Sequence, residues 1–307
     1  MTVFSLPFMQ YALLGALITG VAAPALGTYL VQRRLALIGD GIGHVALTGV
    51  AVGLLTAQSP VLTAMLIAAA GAVVIEVVRQ RGRTSGDVAL AIMFYGGIAG
   101  GVFLINLSAN HTSANLMAYL FGSPLTTSRS DLVVMAVLGG AVLAVTLGLR
   151  AWLFAVCHDE EYARVSGLPV RLLNLLLAVT TAVTVTVAMR AVGLLLVSAL
   201  MVVPVATAQL LAPGFRATQQ VAMGLGVVAA GGGIAIAGVY DTAPGATIVL
   251  LAIAGFALTT VATAVWRRLR QHRRPGNHDV PSPAGVTLTD ETLRWGRGRE
   301  RGVRGGR

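Results

Sequence analysis

The feature that most constrains this chain is a succession of long apolar blocks, each close to the ~20 residues that a helix needs to cross a bilayer. Nine fall at roughly 8–31, 42–57, 60–79, 87–107, 132–150, 171–189, 191–212, 218–239 and 245–266. The composition agrees: 56% of the residues are hydrophobic and 11% charged, where a soluble domain carries about 25% charged residues. That balance excludes both an ordinary soluble globule and a disordered chain. Backbone polar groups in oil must be satisfied within the segment, so blocks of this length read as helices. The expected fold is all-α, a polytopic membrane bundle of about eight or nine transmembrane helices. Eight would follow if one segment is re-entrant or broken.

Charge sets the expected orientation. All 22 basic residues are arginine. Arg33 and Arg34, then Arg79, Arg81 and Arg83, then Arg150, Arg164 and Arg171, and finally Arg216 fall in alternate loops. The intervening loops carry only Arg129 and Arg190. The positive-inside rule then puts the N-terminus outside and the C-terminus in the cytoplasm. Residues 1–266 read as the transmembrane domain. Residues 267–307, with eleven arginines against four acids among Gly and Pro, read as a disordered cytoplasmic tail that touches anionic lipid headgroups. The tail lacks the interleaved aromatics of a nucleic-acid binder, so no nucleic-acid partner is expected. A single cysteine, Cys157, excludes an intrachain disulfide. No cleavable signal peptide is expected, because no basic residue precedes Arg33 and no soluble domain follows. Gly-Gly pairs at 96–97, 100–101 and 139–140 and the triplet 231–233 read as close helix packing. No nucleotide-binding loop or zinc-protease motif is present.

An ionisable group inside a bilayer costs at least ~2.5–3.5 kcal/mol, so each one needs a reason. Asp40 and His44 are the leading pair. Their i, i+4 spacing puts both side chains on one helix face, where a carboxylate and an imidazole can share a first-row divalent metal. The alternatives stay open at this point: Asp40 as a helix cap and His44 as a hydrogen-bonded interior histidine. Asp241, before Pro244 and Gly245, reads either as a turn initiator or as an acid at an external mouth. Glu76 and Asp87 flank an arginine cluster and are expected to pair with Arg79, Arg81 or Arg83. Asp131 reads as a cap or dipole partner at the start of its span. His111 and His158 fall in expected loops, and Pro204 breaks the seventh span, which packing or a pathway would each explain.

The expected cytoplasmic loop at 151–170 carries Asp159-Glu160-Glu161-Tyr162-Ala163-Arg164-Val165-Ser166-Gly167-Leu168-Pro169. Acids in the first turn suit a short helix; Gly167 stops it, and Pro169 can begin the next. Acids are repelled by an anionic inner leaflet, so this foot reads as a docking element for a protein.

Several segments in order resemble one family, the permease subunits of bacterial ATP-binding-cassette importers for zinc and manganese. They are Leu30–Arg34, Ile38–Gly49, Ala118–Ser123, Asp159–Gly167, Val192–Ala208, and Tyr240-Asp241 with Pro244-Gly245. The resemblance implies a homodimer whose interface is the translocation path. It implies that Asp40 and His44 touch the metal in passing, and that Glu160, Glu161, Ala163, Arg164 and Gly167 belong to a coupling helix seated in an ATPase subunit. It also implies an extracytoplasmic lipoprotein or periplasmic protein that delivers the ion, and no catalysis or permanently bound cofactor in this chain. The cargo would be zinc, manganese or iron. The sequence departs from the family pattern at Thr48, where proline is common, and at Thr242-Ala243.

Rival readings are a permease for metal chelates such as siderophores, a stand-alone secondary cation transporter, and an intramembrane protease built on Ser198 with His44. The acidic foot argues against the second. The lack of a Gly-x-Ser-x-Gly motif argues against the third.

Overall fold

The computed structural model describes residues 7–80, 86–107, 128–240 and 242–272. Every regular element among them is a helix: α1 Pro7–Gln32, α2 Ile38–Leu55, α3 Pro60–Gln80, α4 Gly86–Leu107, α5 Arg129–Gly148, α6 Arg150–His158, α7 Glu160–Val165, α8 Val170–Val192, α9 Leu194–Leu211, α10 Phe215–Tyr240 and α11 Pro244–His272. His111, Ala118–Ser123, Arg81, Arg83, Asp241 and the tail from 273 onward lie outside the described residues, as does the side chain of Asp87.

All nine expected spans are helices. Eight are long and apolar enough to cross a membrane, and α9 is the shorter apolar one. Its 18 residues rise about 27 Å at 1.5 Å per residue, just short of a ~30 Å hydrocarbon core. The fold is an all-α polytopic bundle. α9 is short because Gly193 interrupts a single apolar run. With φ 89° and ψ 151°, Gly193 adopts a conformation essentially reserved for glycine, and α8 passes into α9 with no loop between them.

Several boundaries differ from expectation, and α11 runs on to His272, six residues past the expected end of the last span at 266. α2 starts at Ile38 rather than 42, which draws Asp40 inside the helix. α5 starts at Arg129 because Ser128 and Asp131 form a reciprocal capping box; Asp131 is the acid of the box and Ser128 the cap itself. Residues 151–158, expected as loop, belong to α6 together with Arg150, and His158 is its last residue. α6 is too short to register as a span, and it folds because Leu153 and Val156 bury one face in the common core.

α1 and α8 are the most enclosed helices, 72% buried, and only 11% of α11 is covered. Around α1 pack α5, α8, α9 and α10, while α2, α3 and α4 form a second group joined to α8 and α9. Small residues let the backbones touch. A Cβ on Gly20 would lie 2.7 Å from the Gly226 carbonyl oxygen, and one on Gly97 would lie 2.5 Å from the His44 carbonyl carbon. Residues Met1–Thr263 form one compact unit.

Candidate functional site

Asp40 and His44 share a face of α2. The helix begins after Leu37, which makes no side-chain cap, so Asp40 sits in the first turn and is not the cap; there its carboxylate faces the positive end of the helix dipole. Asp40 is half-buried and His44 is 7% exposed. The ring of Phe94 on α4 packs edge-on against the imidazole, with centroids 4.4 Å apart and planes at 77°. Gly97, one turn later on α4, backs onto the His44 carbonyl. The Nδ1 of His44 is buried without a hydrogen-bond partner. This atom does not fit the reading of a satisfied interior histidine, since buried polar atoms are nearly always bonded. A neutral imidazole with a free nitrogen and a carboxylate one turn away are two donors of the kind that first-row divalent metals take. Among the described residues no group of three or more His, Cys, Asp and Glu gathers. The described residues of one chain therefore offer this pair and no complete cage.

Thr48 donates its hydroxyl to the Gly97 carbonyl at 2.7 Å. Ser198 is buried and its Oγ makes no hydrogen bond, so it is not engaged with His44 as a protease dyad would require. Ser198 instead faces α2 at Gly39, where an added Cβ would lie 3.6 Å from its Oγ. Pro204 lies inside α9 and lines an apolar crevice of about 230 Å³ with residues of α10 and α11.

At another part of the bundle the acidic foot forms as its sequence suggests. Asp159 caps α7 by accepting from the Tyr162 N–H at 2.9 Å. Gly167, at φ 81°, ends the segment. Ala163 is fully buried, while Tyr162 is 68% and Val165 89% exposed; Glu161 is exposed as well. Glu160 points inward instead. Its Oε2 accepts from Arg33 at 3.2 Å and its Oε1 from Arg164 at 3.2 Å, and Arg79 stands 3.9 Å away. Arg33 also donates to Asn174 Oδ1 at 2.7 Å. Arg79 makes two hydrogen bonds to Glu76, at 3.0 and 2.8 Å, as its spacing predicts. Burial, with Arg79 close by, holds the Arg33 guanidinium below the usual arginine range. Burial pushes the Cys157 thiol of α6 up to about 11. Sequence reasoning placed Arg33 in a loop but missed its pairing with Glu160 and with Asn174. A lone asparagine in the apolar run of α8 was the available signal, because a buried amide needs a partner.

The chain is 33% identical over 273 residues to the manganese transport system membrane protein MntC of Halalkalibacterium halodurans, covering 87% of this chain and 93% of that one. It is 27% identical over 250 residues to the high-affinity zinc uptake system membrane protein ZnuB of Haemophilus influenzae, covering 81% and 95%. The structure of PsaBC from Streptococcus pneumoniae in complex with Fab matches with a TM-score of 0.75 at 28% identity, covering 84% of this chain and 92% of that one. The family model described as the ABC 3 transport family matches residues 5–263. With that match spanning most of a multi-pass helical bundle, the chain belongs to the ABC 3 transport family.

Proposed function

We propose that this chain is the membrane-spanning permease subunit of an importer that carries divalent metal ions, zinc or manganese, across the cell membrane, with ATP hydrolysed on a separate subunit. The observation that carries the reading is the buried, unpartnered Nδ1 of His44 one helical turn from Asp40 on α2. Oxygen and nitrogen donors together suit zinc, manganese and iron alike. The relatives named for manganese and zinc transport support a metal cargo.

The mechanism follows from the donor count. The two donors among the described residues would hold an ion loosely, and a second copy would bring that number to four at a shared path. Loose holding is what transport needs, since an ion must leave as readily as it enters. The metal is cargo, and the chain itself does no chemistry. Asp241 would offer an acid at the outer mouth, where an extracytoplasmic lipoprotein or periplasmic protein releases the ion. Pro204 would let α9 bend as the path opens. On the cytoplasmic side, the segment holding Glu160, Glu161, Ala163, Arg164 and Gly167 couples the bundle to the ATPase, with Glu160 and Ala163 turned toward the bundle. Residues 1–266 would form the permease domain and 267–307 a basic tail on the same side, attracted to anionic lipid.

The test is uptake of radioactive zinc and manganese by cells lacking their other importers. Asp40→Ala and His44→Ala should each lower uptake about tenfold or more, the range seen when a ligand or its support is lost. Unchanged uptake in both would refute the reading. Uptake of a chelate in place of the free ion would move the cargo to the siderophore class.

A further inference from the structure

The foot is joined to the membrane helices through one carboxylate. Glu160 Oε2 accepts from Arg33, just past the end of α1, at 3.2 Å. The same atom is 3.9 Å from the Arg79 guanidinium at the end of α3. Through Arg33 the link continues to Asn174 in the first turns of α8 at 2.7 Å. α7 lies against α6 and α8, with Ala163 buried in the common core. On the α3 side, a cleft of about 670 Å³ opens beside the foot, lined by Arg79, Gln80, Glu160, Arg164 and Arg171 among others. The tie across that cleft is ionic. An ion pair keeps its attraction as it lengthens, because Coulomb energy falls only as the inverse of distance. Arg33 has a side chain only 7% exposed, so a displaced Glu160 would leave a buried cation unpaired, which is strongly unfavourable. Arg33 must therefore follow the foot. α3 lies along α2, where Gly49 meets the Ala64 backbone, so a shift of Arg79 reaches the helix that carries Asp40 and His44.

We infer that Glu160 is a positioning residue and not a docking contact: its carboxylate carries displacement of the α7 foot to α1 and α3, while Glu161, Tyr162 and Val165 form the outward docking face. This rests on the permease reading above. Arg79 is the softer partner: its hydrogen bonds go to Glu76, and its approach to Glu160 is longer. Arg33 is the tight one.

The experiment uses the full assembly, permease with its ATPase, reconstituted in vesicles. Glu160→Gln keeps the size of the side chain and removes its charge. Arg33→Gln attacks the same joint from α1, away from the docking face. Both should leave the ATPase subunit co-purifying in wild-type proportion and still hydrolysing ATP, while metal moved per ATP falls about tenfold, inside the range of typical coupling energies. Val165→Ser with Glu161→Gln should do the reverse and lower co-purification. A second reading is independent of transport. Backbone amides in the last turn of α1 should exchange hydrogen faster in Glu160→Gln than in wild type. If Glu160→Gln sheds the ATPase as the outer-face variant does, or if both joint variants transport with wild-type economy, the inference is overturned. A wild-type assembly that hydrolyses ATP without moving metal would sink the permease reading instead, and amide exchange would then decide the joint by itself.

Discussion

The hydroxyl of Thr48 donates to the carbonyl of Gly97 at 2.7 Å, and so joins α2 to α4 one turn beyond His44. Hydrogen bonds between helices in a bilayer are worth about 0.6–2 kcal/mol. Thr48→Val keeps the shape and removes the donor. It should lower the stability of the solubilised protein by about 1 kcal/mol on that scale, read as a fall in its thermal midpoint. An unchanged midpoint would mean that the bond carries no net stability.

Two adjacent glycines on α4 give a paired prediction. A Cβ on Gly97 would lie 2.5 Å from the His44 carbonyl carbon, and one on Gly96 would meet nothing within 4 Å. Gly97→Ala must push α2 from α4, at a cost of about 1–3 kcal/mol for overpacking, and should reduce both membrane abundance and metal uptake. Gly96→Ala should be neutral in both. Equal behaviour of the two variants would contradict the helix contact.

Cys157 is the one cysteine of the chain, and burial pushes its thiol up to about 11. The thiolate is the reactive form. Raising the value leaves the group protonated through neutral pH, so its ionised fraction grows with pH all the way to that point. Alkylation by iodoacetamide at pH 8 should run roughly a hundredfold slower than that of an ordinary free thiol. The rate should climb about tenfold per pH unit up to 10. Mass spectrometry of the labelled protein reads this directly, and fast labelling at pH 7 would contradict the burial.

The cap of the foot supplies a further prediction. Asp159 accepts from the Tyr162 N–H at 2.9 Å, and α7 is only six residues long. A helix this short depends on its cap. Asp159→Ala should loosen the foot and reduce recovery of the ATPase subunit, and Asp159→Ser should restore much of it. Equal recovery with all three residues would show that the foot holds its shape by packing alone.

The spans were legible in the sequence because hydropathy over twenty residues is a local property. So was the foot, whose Asp159 and Gly167 are local start and stop signals. The start of α2 was not, since Leu37 has no capping side chain to mark it, and this hid the placement of Asp40 inside the helix. α6 escaped because its apolar face is only two turns long. The joint at Glu160 could not be read either: Arg33 and Asn174 lie 127 and 141 residues away along the chain from Glu160 and Arg33 respectively, and only the tertiary fold brings them together. The loneliness of His44 Nδ1 is likewise a property of what surrounds it.

Gly193 carries a consequence for how the bundle can be engineered. With no spare residue between α8 and α9, the two rods share a single elbow, and any swing of one is delivered to the other undiluted. A linker spliced in at that elbow would act like play in a gear train, absorbing the stroke before it reached the far rod.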